Sequence, residues 1–302
     1  MNWLKTKKVI THNGSFHTDE VFACAVLSIL NNGKVKVIRS RDPKVWATGD
    51  YVVDVGGVYD YEKCRFDHHQ EGGAGKRPNG IPYSSMGLVW KHFGEKISGS
   101  SEVAQLIDEK LAQPIDCADN GINSFTLVPP GVFPYLLHNV IASFRPTWKE
   151  ESEERLSFDA GFARACKLAK ELILREIKIA QNHLEGDQKV LDCYNNAKDK
   201  RIIVIDGQYP CDQFLLKYPE PLFVVKPDHE IGGRWKIKRV LKSIESFEAR
   251  KLLPQAWAGK EGKELAEITG VADAIFCHNK RFIAVAGSKE SALKLAELAI
   301  ND

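Results

Sequence analysis

Short β-rich runs alternate with helical stretches over the first 57 residues of this 302-residue chain, and this alternation constrains the fold more than any other feature. The run KKVITH is followed by DEVFACAVLSIL, whose apolar residues recur at helical spacing, and then by the runs VKVIRS and YVVDVGG. Such alternation is typical of a largely parallel sheet with helices on both faces. The sequence therefore predicts an α/β fold.

Histidines and aspartates collect where the strands of this predicted sheet end, and ligands bind beyond the carboxyl ends of strands in such sheets. His12 and Asp54 both follow β-like runs, which places them at one edge of the sheet. Four motifs, HNGSFHTDE, VVDVGG, FDHHQ and DCADNG, supply the potential donors His12, His17, Asp19, Asp54, Asp67, His68, His69, Asp116 and Asp119. These donors suffice for two divalent metal ions, an arrangement that phosphate ester hydrolysis uses repeatedly. The motifs indicate a hydrolase of phosphate esters.

Each motif also has a simpler structural interpretation. Thr18 and Asp19 are residue types that cap helices, and Asp54 precedes two glycines, as a turn-forming aspartate does. An acidic residue at the end of a buried run is costly unless it is paired or bound to a metal, which favours a bridging role for Asp54. Asp116 can instead cap a helix or bond the following Asn-Gly turn, so the fourth motif leaves Asp116 and Asp119 as alternatives. We favour Asp119 as the ligand.

The motif FDHHQ carries the sharpest signal. Three consecutive ligands cannot all face one way on a regular strand, because side chains alternate. Metal binding by this motif therefore requires a loop. The expected division is one histidine on the metal, one toward a phosphate, and Asp67 orienting an imidazole from behind.

The length of the chain favours two domains, since single cores stop growing at roughly 250 to 300 residues. A second β-rich run, KRIIVIDG, follows the polar stretch NNAKDK, where we place the boundary. The predicted domains are residues 1–198, which hold the four motifs, and residues 199–302, a smaller α/β or α+β domain.

Composition bounds the environment of the protein. Basic and acidic residues nearly balance, and the net charge of +2 does not by itself indicate a protein that binds nucleic acid. The seven cysteines are scattered and odd in number, which indicates neither a disulfide framework nor a zinc knuckle and suggests a reducing compartment. No secretory signal fits the first residues, and no apolar run approaches the roughly 20 residues of a membrane-spanning helix. We expect a cytoplasmic protein without membrane contact; its oligomeric state cannot be read from the sequence.

These motifs together resemble the DHH phosphoesterase superfamily. The blocks THNGSFHTDEVFACAVL, FDHHQ, SSMGLVWKHFG and DCADNGI, with SFEARKLLPQAWAG and FCHNKRFIAVAG in the second half, are similar to the melanocyte proliferating gene one (Myg) family of metal-dependent hydrolases. The resemblance covers nearly the whole chain in the family's order. It implies a DHH-type domain followed by a smaller substrate-binding domain, and 3′ to 5′ exonuclease activity on single-stranded RNA or short oligonucleotides.

The resemblance also implies roles for individual residues. It assigns one metal to His12, His17 and Asp54, and the other to Asp19, Asp54, His68 and Asp119. His69 resembles the histidine that contacts the scissile phosphate and protonates the leaving group, with Asp67 beside it. His17 stands where the commonest DHH motif has an aspartate, and this nitrogen ligand favours Mn²⁺, Co²⁺ or Zn²⁺ over Mg²⁺. We expect two divalent ions, with Mn²⁺ foremost.

Substrate contacts are expected from basic residues outside the metal motifs. The glycine-rich loop after FDHHQ carries Lys76 and Arg77, while Arg250, His278, Lys280 and Arg281 lie in blocks that resemble the family. The run RWKIKRVLK also alternates basic and apolar residues, but a solvated edge strand explains it equally well.

Two other functions remain open from the sequence. One is a phosphoesterase of small nucleotides, favoured by a closed site without aromatic stacking platforms. The other is a metal-binding regulatory protein without turnover, which is disfavoured because every expected ligand position carries a competent donor.

Overall fold

The computed structural model describes residues 5–126, 130–153, 156–229, 231–243, 246 and 248–302. The chain forms two compact units, Met1–Gln181 and Asn182–Asp302. They divide inside a long helix, whereas the sequence placed the boundary after residue 198. The reason is packing, since Val190 near the end of this helix joins a buried cluster with Ile203 and Val224 of the second unit.

The sheet of the first unit confirms the predicted α/β class. Its order is β2-β1-β3-β5-β4, and all neighbours are parallel except the pair β4 and β5. The strands are β1 (Lys7–Thr11), β2 (Val35–Arg39), β3 (Tyr51–Val53), β4 (Tyr59–Asp60) and β5 (Arg65–Phe66). The parallel pairing of β1, β3 and β5 brings the residues after Thr11, Val53 and Phe66 to one edge.

Helices cover this sheet, and the last of them extends past the division between the two units. They are α1 (Thr18–Leu30), α2 (Pro43–Trp46), α3 (Ser85–Ser98), α4 (Ser101–Ile107), α5 (Gln113–Asp119), α6 (Leu137–Ala142), α7 (Trp148–Ser152) and α8 (Phe158–Asn196), with a π-helical turn at Asp108–Ala112. Helix α1 is buried from Thr18 through Leu27. A helix that is apolar nearly all round belongs in a core, so α1 is the centre of this unit.

The second unit contains a mixed sheet in the order β6-β7-β8-β10-β9. Its elements are β6 (Ile202–Val204), α9 (Asp212–Leu215), β7 (Phe223–Pro227), β8 (Trp235–Arg239), a 3₁₀ turn (Gln255–Trp257), α10 (Gly262–Thr269), β9 (Ala274–Cys277), β10 (Ile283–Ala286) and α11 (Lys289–Asn301). Strand β8, from the run RWKIKRVLK, lies between β7 and β10 and is not an edge strand. No helix in the described ranges is long and apolar enough to cross a membrane.

A buried polar network joins α3 to α5. Asp116 accepts hydrogen bonds from the guanidinium of Arg77 and the hydroxyl of Ser84, both at 2.5 Å, and from the backbone N–H of Gly87 at 3.0 Å. Burial raises the pKa of Asp116 to about 6, against the opposing effects of Ser84 and Arg77. A side chain at residue 87 has no room, because a Cβ there would overlap Oδ2 of Asp116.

We predict that Gly87→Ala destabilises the protein by about 1–3 kcal/mol, since overpacking forces the Asp116 network apart. Chemical denaturation monitored by circular dichroism measures this change. Gly232→Ala is the matched control, because a Cβ at residue 232 meets no atom of a described residue within 4 Å, and its effect should stay within about 0.5 kcal/mol. Equal effects of the two variants would contradict this account.

Candidate metal centre

The first motif forms the turn between β1 and α1. His12 follows β1 and is buried, while His17 is the exposed N-cap residue of α1, which begins at Thr18. Asp19 and Glu20 lie in the first helical turn and are fully buried. The Glu20 carboxylate accepts hydrogen bonds from the backbone N–H of His17 at 2.8 and 2.9 Å, and its Oε1 lies 3.1 Å from Nε2 of His12.

Asp54 lies at the centre of the cluster. Its Oδ2 is 3.2 Å from Nε2 of His12, and its Oδ1 is 3.3 Å from Nε2 of His68. It directly follows β3, and its backbone is left-handed, with φ of 57°. Such a conformation costs a residue with a side chain roughly 1–3 kcal/mol and persists where the surroundings impose it. The turn after β3 is therefore shaped to aim this carboxylate at two histidines.

The third motif leaves β5 as a loop, as the alternation of side chains required. Asp67 points inward and accepts backbone hydrogen bonds from Gly57 at 2.5 Å, His68 at 2.8 Å and His69 at 3.2 Å. Its Oδ1 also lies 2.8 Å from Nδ1 of His69, whose side chain is 62% exposed. Asp67 thus fixes the loop and one nitrogen of the His69 ring.

The fourth motif belongs to helix α5 and does not follow a strand, contrary to our placement of all four motifs at strand ends. Asp119 is the last residue of α5, and its Oδ2 lies 3.2 Å from Nε2 of His68. Asp116 faces the network with Arg77 and Ser84 instead. One helical turn separates the two aspartates, and the geometry brings Asp119 to the cluster.

The donors converge in three groups whose candidate ligand atoms lie within 4.8 Å of one another. The groups are His12, His17, Glu20 and Asp54; Asp54, His68 and His69; and His17, Asp19 and Asp119. Within the described part of the chain, both carboxylate oxygens of Asp19 are buried without hydrogen-bond geometry to a partner, and Nε2 of His68 lies at ion-pair distance between Asp54 and Asp119. Native proteins rarely bury polar atoms unpaired. Mixed imidazole and carboxylate donors left in this state fit divalent cations such as Mn²⁺ or Zn²⁺.

The electrostatics of the cluster also favour cations. Burial by itself lowers the pKa of His12, but neighbouring carboxylates, first that of Asp54, raise it to about 10. For His68, burial is likewise outweighed by Asp119 and Asp54, which raise its pKa to about 10. Burial, together with Asp54 and Asp119, raises the pKa of Asp19 well above its usual value. A divalent ion that binds here must therefore displace imidazole protons.

Comparison with known proteins places this chain in a family. The family model MYG1_exonuc, described as "Uncharacterised protein family (UPF0160)", matches residues 8–300. The chain belongs to the MYG1 family. It is 31% identical to human MYG1 exonuclease, over 97% of this chain and 85% of that protein, and 30% identical to the MYG1 protein YER156C of Saccharomyces cerevisiae, over 99% and 97%. Exonuclease RecJ bound to manganese covers 98% of this chain and 91% of its own, at 11% identity, but its TM-score of 0.26 supports no inference.

The basic residues that we predicted to contact substrate differ in their surroundings. Lys76 and Lys280 are exposed. Arg77 is buried and holds Asp108 as well as Asp116. The two lysines can reach a substrate without leaving such a network. Arg77 instead positions Asp116. Contact between Arg77 and substrate stays a prediction, which the burial of Arg77 disfavours.

The predicted substrate residues of the second unit make local contacts. The Arg250 guanidinium donates to the carbonyls of Tyr218 at 2.6 Å and Pro221 at 3.1 Å. Arg281 has a left-handed backbone, with φ of 58°, and donates to the carbonyl of Leu253 at 3.2 Å. Nδ1 of His278 accepts the backbone N–H of Lys280 at 3.0 Å. These contacts fix the loops that carry the residues; substrate binding by them stays a prediction.

Glu20 is the cluster residue that sequence reasoning missed. It stands third in α1 and was available in the motif HTDE. A glutamate at this helical position usually signals a capping box, and Glu20 does accept the N–H of His17. The complete burial of Glu20, which marks it as more than a capping residue, is not visible in the sequence.

We predict that an excess of Mn²⁺ raises the unfolding midpoint of the wild-type protein and that Asp19→Asn loses most of this increase. Asparagine keeps the size of the side chain but replaces one oxygen with an NH₂ donor, which cannot bind a cation. A ligand at 100 times its Kd stabilises the folded state by about 2.7 kcal/mol. Scanning calorimetry with Mn²⁺ and with chelator measures the difference.

Asp60→Asn is the control for this prediction, since Asp60 pairs with Lys63 at 2.8 Å on strand β4, away from the donor groups. It should keep the full response to Mn²⁺. An unchanged response in Asp19→Asn would argue against a metal at its two buried oxygens.

Proposed function

We propose that this protein is a metal-dependent phosphodiester hydrolase, and specifically a 3′ to 5′ exonuclease of single-stranded RNA. One observation supports the assignment as a hydrolase. The buried Asp54 carboxylate lies between His12 and His68, with the unpaired oxygens of Asp19 beside them. Membership of the MYG1 family supports nuclease activity, because the mammalian relatives are named MYG1 exonuclease.

Two divalent ions are the proposed cofactors. His12, His17 and Asp54, with Glu20, would hold one of them, and Asp19, Asp54, His68 and Asp119 would hold the other. Bound ions of this kind supply a hydroxide at neutral pH and stabilise charge on the phosphoryl group. Manganese is the favoured metal, since nitrogen ligands accompany the carboxylates.

His69 is the proposed general acid. The Asp67 carboxylate fixes its Nδ1 at 2.8 Å and raises its pKa, which favours the protonated ring. With Nδ1 engaged, Nε2 of this exposed ring is the nitrogen that can deliver a proton to the leaving oxygen of the ester. Asp67 acts through His69 as a positioning residue, because it is 1% exposed and bonded on both oxygens.

RNA as substrate and attack from the 3′ end rest on the family resemblance. The second candidate is a phosphoesterase of short oligonucleotides or small nucleotides. Aromatic side chains bear on this choice, since single-stranded nucleic acid is held by base stacking. Tyr135 and Trp148 of the first unit are each more than 70% exposed and offer such aromatic faces, which favours a strand over an isolated nucleotide.

We predict that Mn²⁺-loaded protein shortens 5′-end-labelled RNA one nucleotide at a time and releases labelled mononucleotide at once from 3′-end-labelled RNA. Gel analysis against single-stranded DNA and a dinucleotide of the same sequence measures substrate and polarity together. Chelator serves as the control and should abolish cleavage. Equal cleavage of small nucleotide esters and RNA, without dependence on salt, would move the assignment to the second candidate.

We predict different losses when the proposed bridging ligand and the proposed acid are removed. Asp54→Asn should abolish both metal binding and hydrolysis, and asparagine tolerates the left-handed backbone there. His69→Ala should keep its metal while turnover falls by roughly 10²- to 10⁴-fold, the usual range for a general acid. Elemental analysis and single-turnover kinetics separate the two. Equal loss of metal in both variants would contradict this division.

A further inference from the structure

A pocket of about 340 Å³ lies beside helix α5 within the first unit. Pro114 and Ala118 of α5 form one wall, the loop 121–125 forms another, and the start of α6 closes the third side. Its volume falls at the lower end of the range of about 300–1,000 Å³ that small-molecule sites occupy. The pocket has room for a single small ring system and its attachment.

This pocket adjoins the candidate metal centre. Two of its lining residues, Thr18 and Ala118, are the chain neighbours of Asp19 and Asp119. Successive Cα atoms are about 3.8 Å apart, so the pocket and the two carboxylates share a wall. A group attached to a phosphate that metal ions hold at these carboxylates therefore lies close to the pocket.

The lining selects a neutral, apolar group. Ile115 is buried at its side, and Ile122 and Phe125 are 41% and 37% exposed although both are large apolar residues. The charged residue in the lining is Lys110, whose exposed Nζ pairs with Oε2 of Glu176 at 2.6 Å. A phosphate gains nothing here, so the occupant is an uncharged part of the substrate.

Polar groups at the same pocket narrow the choice further. Asn123, Ser124 and His138 line it and supply hydrogen-bond donors and acceptors. An apolar pocket with a few such groups suits a flat heterocycle whose edge carries both kinds of hydrogen-bonding atom. Phe125 adds an aromatic face, and aromatic faces stack on nucleobases of any sequence.

We propose that this pocket binds the nucleobase of the nucleotide next to the cleaved phosphodiester, with Phe125 stacked on the base. The proposal rests on the proposed function, since it takes the substrate to be a nucleic acid. It makes Phe125 a residue for substrate binding and not for the chemical step. Replacing Phe125 therefore raises KM for RNA and leaves hydrolysis at the metals intact.

The binding test uses a nucleotide that the enzyme does not hydrolyse. The ribonucleoside 5′-monophosphate of 2-aminopurine is a product analogue, and stacking quenches its fluorescence. We expect quenching on titration with the Mn²⁺-loaded wild-type protein, and weakening of binding by about tenfold in Phe125→Ala, in line with the loss of one stacked base. Phe125→Tyr should restore binding. Phe133→Ala is the matched control, since Phe133 is 74% exposed and is absent from the pocket lining.

A kinetic test separates the pocket from the metal centre. Phe125→Ala should keep the wild-type kcat at saturating RNA while KM for RNA rises about tenfold, because Phe125 takes no part in the chemical step. Equal nucleotide binding by wild type and Phe125→Ala, or equal weakening by Phe133→Ala, would overturn the proposal. Failure of the wild-type protein to cleave RNA would overturn the proposed function instead, and the binding titration would still decide what the pocket holds.

Discussion

The buried carboxylate of Asp54 is the interaction on which the rest of this structure depends. It ends a central strand in a left-handed conformation and lies within 3.3 Å of histidines from two different segments. A buried carboxylate without such partners is unstable, and here the pKa of Asp54 is held low, against its burial, by His12 and His68. The first and third motifs are thereby brought to the second, and the sheet edge becomes one site.

Asp19 shows the cost of building that site. It lies in the first turn of the most buried helix, where the helix dipole favours an acidic residue. Yet its buried oxygens face the carboxylates of Asp54 and Asp119, which together with burial raise its pKa well above the usual value. The helix dipole thus favours a charged aspartate at residue 19, whereas the neighbouring carboxylates disfavour it. Such a conflict is typical of functional sites. A cation resolves the disagreement, so the metal-free protein carries a destabilising cluster that metal binding relieves.

The sequence was sufficient for those parts of the site that follow from strand periodicity. Parallel strands end at one edge, so His12 and Asp54 could be placed together, and the alternation of strand side chains showed that FDHHQ needs a loop. Strand periodicity does not predict the position of Asp119, because this residue reaches the cluster from the end of a helix. Burial was equally out of reach. Glu20 keeps its capping bond to His17, and its complete burial adds it to the donors, while the burial of Val190 places the last turns of α8 with the second unit.

Basic residues were the least predictable from sequence, because a guanidinium binds protein carboxylates and carbonyls as readily as phosphates. Arg77 is bound to two aspartates, and Arg250 donates to backbone carbonyls of Tyr218 and Pro221. Neither donor set can turn to a substrate without breaking these bonds, which costs about 1–3 kcal/mol where the acceptor is buried, as Asp116 is. Both arginines hold the protein's own chain in this structure, and their contact with substrate stays a prediction. Exposed lysines such as Lys76 carry no such cost, and base contacts in an apolar pocket do not depend on charge at all.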